Sequence, residues 1–87
     1  MKMIILILKD HDSDIVTQAL TSADYRVTRV ASTGGFLRSG MVTLLLGVDD
    51  DRVDSAIDLI REKIAKAAPN EKRATLFVVP VERFEQV

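Results

Sequence analysis

The residues best suited to chemistry in this chain lie between two apolar runs, in the loop Ser32-Thr33-Gly34-Gly35-Phe36-Leu37-Arg38-Ser39-Gly40. Glycine removes the Cβ that would keep backbone N–H groups from converging on an anion. Phe36 offers a planar face, and an exposed phenyl ring asks to be covered by a base or by a neighbouring subunit. Arg38 either clamps an anion at the loop or simply solubilises it. The same stretch also reads as a wide hairpin loop whose Phe36-Leu37 dips back into the core. From the loop alone both readings stand.

Other chemistry is sparse. The chain has no cysteine and one histidine, His11. Thiolate chemistry, a disulfide framework and a His-rich metal site are therefore excluded. No nucleophile–base pair stands out, so the chain reads as a non-enzyme. Asp49-Asp50-Asp51 has the charge to hold a divalent cation. A helix N-cap with acids at the helix's positive end explains it fully. His11, between Asp10 and Asp12, reads as a solvated turn residue. A net charge of -1 over 87 residues provides no field to gather a nucleic acid polymer or an anionic membrane surface.

The elements that must position the loop follow from hydrophobic period. A chain of this length is one domain, residues 1–87. Met3 to Leu8 is apolar without alternation and reads as a strand buried on both faces. It is too short for a membrane span, and Lys9-Asp10 follow it without a small-residue cleavage site. It is taken as a first strand, and the protein as cytoplasmic. Asp12 or Ser13 is expected to cap a helix whose apolar stripe is Ile15, Val16, Ala19, Leu20 and Ala23, ending near Ser22 to Asp24. Tyr25 to Ser32 reads as a strand with Arg26, Thr28 and Val30 on one face and Val27, Arg29 and Ala31 on the other. After the loop, Thr43 to Val48 is a third strand. Gly47 to Asp51 opens a second helix with Val53, Ala56, Ile57, Ile60, Ile64 and Ala67 at helical spacing. Pro69-Asn70 stops it. Ala74 to Val81 is a fourth strand, with Pro80 marking an edge or an end. Phe84 is expected to anchor the tail.

The order β-α-β-β-α-β is the split βαβ, ferredoxin-like α+β plan: a four-stranded antiparallel sheet with two helices on one face. Two helices cover only one face, yet strands one, three and four are apolar on both. The second face is therefore expected to be covered by other copies of the chain.

At T-G-G-F-L-R-S-G, followed by G-V-D-D-D-R-V-D, the chain resembles the PII-like family of cyclic-di-AMP receptors. The opening M-K-M-I-I-L-I-L-K-D-H-D-S and the closing F-V-V-P-V-E-R-F-E-Q fit as well. The resemblance implies a non-catalytic homotrimer with inward-facing sheets and nucleotide sites at the subunit boundaries, serving signal transduction to a protein target. It needs no cofactor beyond the bound nucleotide. By the same resemblance Arg26 and Thr28 meet a phosphate and ribose, Gly35, Phe36 and Leu37 form the base pocket, and Gly47 permits close backbone approach. Phe77 and Gln86 join from the last strand and the tail. Arg29, on the other face, is structural.

Three positions depart from the family pattern. Asp24 and Met41 stand where the family usually carries Asn, and residues 68–74 replace a long signalling loop. Two readings of function follow. One is a sensor of cyclic-di-AMP or a related adenine nucleotide. The other is a trimeric protein-interaction adaptor that has lost nucleotide binding. A small enzyme or metal chaperone of similar architecture is a third, with nothing in the sequence to favour it.

Overall fold

A computed structural model describes residues 1–30, 40–67 and 74–87. The elements are β1 (Lys2–Lys9), α1 (Asp10–Ser22), β2 (Arg26–Val30), β3 (Met41–Val48), a short 3-10 turn (Asp50–Arg52), α2 (Val53–Ala67) and β4 (Ala74–Pro80). The four strands form one sheet in the order β2-β3-β1-β4, antiparallel throughout. This is the expected ferredoxin-like plan. Among the described residues β4 pairs only with β1 and ends at Pro80, so the proline sits on an edge strand and at its end.

One face of the sheet carries the core. Ile4, Leu6 and Leu8 of β1 and Leu44 and Leu46 of β3 are 0% exposed. They pack with Val16 and Leu20 of α1 and Ala56 and Ile60 of α2. The alternate residues Met3, Ile5 and Ile7 of β1, with Met41 and Leu45 of β3, face away from the helices and are half-buried. On that same face Val30 and Phe77 are 43% and 50% exposed. Among the described residues no second layer covers it.

α1 departs from expectation at its start. It begins at Asp10, with Lys9 as N-cap and no side-chain capping bond. The Asp10 N–H donates instead to the Gly40 carbonyl at 2.7 Å. A tertiary acceptor thus replaces the Asp12 or Ser13 cap, and the helix gains a turn. Asp12 and Ser13 are buried on its inner side, where the Ser13 hydroxyl donates to the Asp10 carbonyl. The buried face runs through Asp12, Ser13, Val16 and Leu20, and Ile15, at 50% exposed, lies outside it, so it leaves the expected apolar stripe.

The other end of α1 closes as expected. The Tyr25 N–H donates to Leu20 and the Asp24 N–H to Thr21, at 3.0 and 3.1 Å. Asp24 has φ 67°. This paired arrangement around a left-handed residue is a Schellman cap, with an aspartate where glycine or asparagine is usual. α2 follows the periodicity read from its sequence: Ala56 and Ile60 are buried, with Val53, Ile57 and Ile64 half-buried. Gly47 and Val48 belong to β3, and the 3-10 turn separates them from the helix. Phe84 is 64% exposed, so it does not anchor the tail onto its own subunit. Among the described residues no helix is long and apolar enough to cross a membrane.

Candidate functional site

Strand register decides which of the expected site residues meet. Arg26 lies opposite Gly47, Gly47 opposite Met3, and Met3 opposite Val79. In the next row Thr28, Leu45, Ile5 and Phe77 follow one another across the sheet. All stand on the uncovered face. Arg26, Thr28 and Gly47 therefore form one corner, where β2 pairs with β3. Phe77 is on the same face at the far edge, three strand spacings or about 14 Å from Thr28. Met41 is six residues from Gly47 along β3, about 20 Å at strand rise. Gly35, Phe36 and Leu37, with Arg38, lie outside the described residues.

The corner is polar on a largely apolar face that also carries Thr43 and Thr75. Arg26 and Thr28 are exposed. Among the described residues neither the Arg26 guanidinium nor the Thr28 hydroxyl has a protein partner. Arg29, on the opposite face of the same strand, behaves differently. It pairs with the Asp10 carboxylate and stands 3.6 Å from that of Asp14, so it ties β2 to α1. The structural role expected for Arg29 is its observed role.

Gly47 is filled from within the chain. A Cβ there would meet the Met1 terminal methyl at 2.8 Å. The glycine thus admits the flexible end of Met1. The Met1 ammonium pairs with Asp50 at 2.9 Å. That ammonium, and secondarily Lys2, holds the Asp50 carboxyl below its ordinary pKa. The Met1 carbonyl also accepts from the Val81 N–H at 3.1 Å. The tail that carries Gln86 therefore starts at the same end of the sheet as Arg26 and Gly47, and Gln86 itself is exposed.

The acidic run has a local explanation. Asp49 is the N-cap of the 3-10 turn without a side-chain capping bond, and Asp50 and Asp51 occupy its first turn. Among the described residues no group of three or more His, Cys, Asp or Glu could hold a metal ion. His11 is exposed in the first turn of α1, 3.3 Å from Asp12. A groove of about 440 Å³ lies on the helix side, lined by Ile15, Ala19, Leu59 and Lys63, away from the Arg26 corner.

Sequence reasoning missed three features of this corner. The filling of Gly47 by Met1 and the ammonium–Asp50 pair depend on strand register. A third, an arginine–tyrosine contact between Arg52 and Tyr25, joins residues 27 apart. No short-range pattern signals any of them.

The comparisons with known proteins bear on the same corner. A crystal structure of a functionally unknown protein from Pediococcus pentosaceus ATCC 25745 superposes with a TM-score of 0.73 at 29% identity, covering 99% of this chain and 96% of that one. The two chains are thus of nearly equal length. The model of the cyclic-di-AMP receptor family matches residues 1–69. Arg26, Thr28, Gly35, Phe36, Leu37 and Gly47 fall inside the match; Phe77 and Gln86 fall beyond it. With a four-stranded antiparallel sheet, two helices on one face and a family match over most of its length, this chain belongs to the cyclic-di-AMP receptor family.

Proposed function

We propose that this protein is a signal-transduction receptor that binds cyclic-di-AMP, or a related adenine nucleotide, at the boundaries between three copies of the chain. The observation that carries the reading is the Arg26 guanidinium. It stands on the uncovered face beside Gly47, without an ion pair among the described residues, in a member of a cyclic-di-AMP receptor family. A guanidinium fork matches a phosphodiester, and Thr28 is one step along the same face for a ribose hydroxyl. Gly35, Phe36 and Leu37 supply the base pocket, with Phe36 as the stacking face. Gly47 admits close backbone approach once the Met1 side chain swings aside.

Phe77 stands about 14 Å from Thr28 within one subunit. It reaches the pocket as a neighbour's residue, with the β4 edge of one copy against the β2 edge of the next. Gln86 enters from the tail beside it. Trimerisation would also remove Ile5, Ile7, Leu45 and the exposed Val30 and Phe77 from water. The role is binding and relay to a protein target in the cytoplasm, without catalysis.

Calorimetric titration with cyclic-di-AMP, ATP, ADP and AMP tests the reading. Saturable binding of at least one, one ligand per chain, lost in Arg26→Ala and Phe36→Ala, is expected. Silence from all four overturns it, and a partner captured identically with and without nucleotide would favour the adaptor instead.

A further inference from the structure

We infer that Arg52 is a positioning residue for the Arg26–Gly47 corner, acting through Tyr25 and Ala23; the inference rests on reading that corner as the nucleotide site. The ladder between β2 and β3 has Arg26 opposite Gly47 as its last pair. Beyond that pair the two chains diverge, one back through Tyr25 into the end of α1, the other through Asp49 into the 3-10 turn. Ladder ends fray unless something holds them. Beside the Schellman cap at Asp24 and the Met1–Asp50 pair, one side chain joins the two segments directly. The Arg52 guanidinium lies 4.1 Å over the centre of the Tyr25 ring. Its Nη2 donates to the Ala23 carbonyl at 3.0 Å. The Tyr25 hydroxyl donates back to the Arg52 carbonyl at 3.4 Å.

These contacts form a closed loop. Arg52 is itself fixed by its N–H, which donates to the Asp49 carbonyl at 2.9 Å. Tyr25 is 6% exposed and joins the core. The segment leaving Gly47 is thereby locked to the segment entering Arg26. Arg52 follows three aspartates, yet it makes no ion pair among the described residues. It turns from those carboxylates to a ring and a carbonyl, which a solubilising arginine has no reason to do. A planar fork that stacks and donates at once is an arginine property; lysine cannot reproduce it.

The test uses the full chain as wild type, Arg52→Gln, Arg52→Lys and Tyr25→Phe. Cyclic-di-AMP affinity is measured by calorimetry well below every variant's Tm, with backbone amide exchange measured by NMR on the free proteins. Arg52→Gln is expected to weaken binding about 5- to 10-fold, a typical coupling between a remote group and a site. Arg52→Lys should recover little of it. Tyr25→Phe, which keeps the stack, should lose about 2-fold. Exchange should quicken at Tyr25, Arg26 and 49–52 while the amides of Ile5 and Leu44 stay slow. Wild-type binding with unaltered affinity in Arg52→Gln overturns the clamp alone. Uniformly faster exchange across the sheet also overturns it, since Arg52 would then be a general stabiliser. A wild-type chain that binds no nucleotide overturns the site reading, and the clamp's purpose with it.

Discussion

The two faces of this sheet are written in nearly the same alphabet and meet different fates. Along β1, Ile4, Leu6 and Leu8 vanish under the helices, while Met3, Ile5 and Ile7 on the other side are covered by no second layer among the described residues. The helix-side residues close the fold. The far-side residues have an apolar character that the isolated subunit does not use. At one corner of that far face the alphabet changes to Arg26, Thr28 and Gly47. A face that is apolar for packing and polar at one rim suits self-association with a ligand held at the seam.

Paired substitutions separate the two faces. Leu6→Ala should cost about 2–5 kcal/mol, the usual range for a fully buried leucine, and the loss should not depend on protein concentration. Ile5→Ala, one residue away, should cost less, and its effect should grow where copies associate. Chemical denaturation at two concentrations reads both. If Ile5→Ala proves as costly as Leu6→Ala in a single dilute chain, the distinction between the faces fails.

The next largest effect belongs to the polar corner. Arg26→Ala should weaken nucleotide binding by about 1.5–3 kcal/mol, the worth of a charge-assisted hydrogen bond, and leave Tm unchanged. Arg29→Ala, from the same strand, should do the reverse. It should lose up to about 1 kcal/mol of stability with its exposed ion pairs and none of the binding. Matching losses in both assays for both variants would erase the contrast between the two faces of β2.

Asp24 offers a smaller and more pointed test. Asparagine accepts the left-handed conformation at φ 67° as readily as aspartate, so Asp24→Asn should leave the fold intact. It also removes a carboxylate two residues before Arg26. Nucleotide affinity should rise. Asp24→Gly should add about 0.5–1 kcal/mol of stability by relieving the Cβ, measured as an increase in Tm.

The smallest effect is electrostatic. Asp50 has a depressed folded-state pKa because the Met1 ammonium pairs with its ionised form. A group depressed in this way stabilises the fold above its unfolded pKa and loses that contribution as pH falls through the folded value. Wild type should therefore exceed Asp50→Asn slightly at neutral pH. The gap should close only below the ordinary carboxylate range. Tm measured from pH 7 to pH 2 follows it, and a gap that widens in acid would reverse the assignment.

Much of the architecture was legible in the residues. Continuous apolar runs marked β1, β3 and β4, and the 3.6-residue stripe from Val53 to Ile64 marked α2, because those signals are local. The absence of alternation in the strands also announced a second face in need of cover. What the sequence concealed was settled by residues far apart. The start of α1 is set by a carbonyl at Gly40, thirty positions on, so Asp12 and Ser13 looked like caps and Ile15 looked buried. Arg52 looked like part of a charged turn, since nothing near it in the chain names Tyr25 as its partner. Of the expected site residues, strand register brings Arg26, Thr28 and Gly47 to one corner. Phe77 shares their face of the sheet, at the opposite edge.

Gly40 has one further consequence. Its φ of 83° and the bond from its carbonyl to Asp10 fix the point where the chain re-enters the sheet. A Cβ there would touch nothing within 4 Å, so the demand on this residue is purely one of backbone direction. The glycine acts as a clasp at the base of the segment that precedes it. Replacing Gly40 should therefore disturb both the start of β3 and the head of α1, which meet at its carbonyl. An engineer wishing to graft a new recognition loop onto this scaffold should splice ahead of Gly40 and never through it.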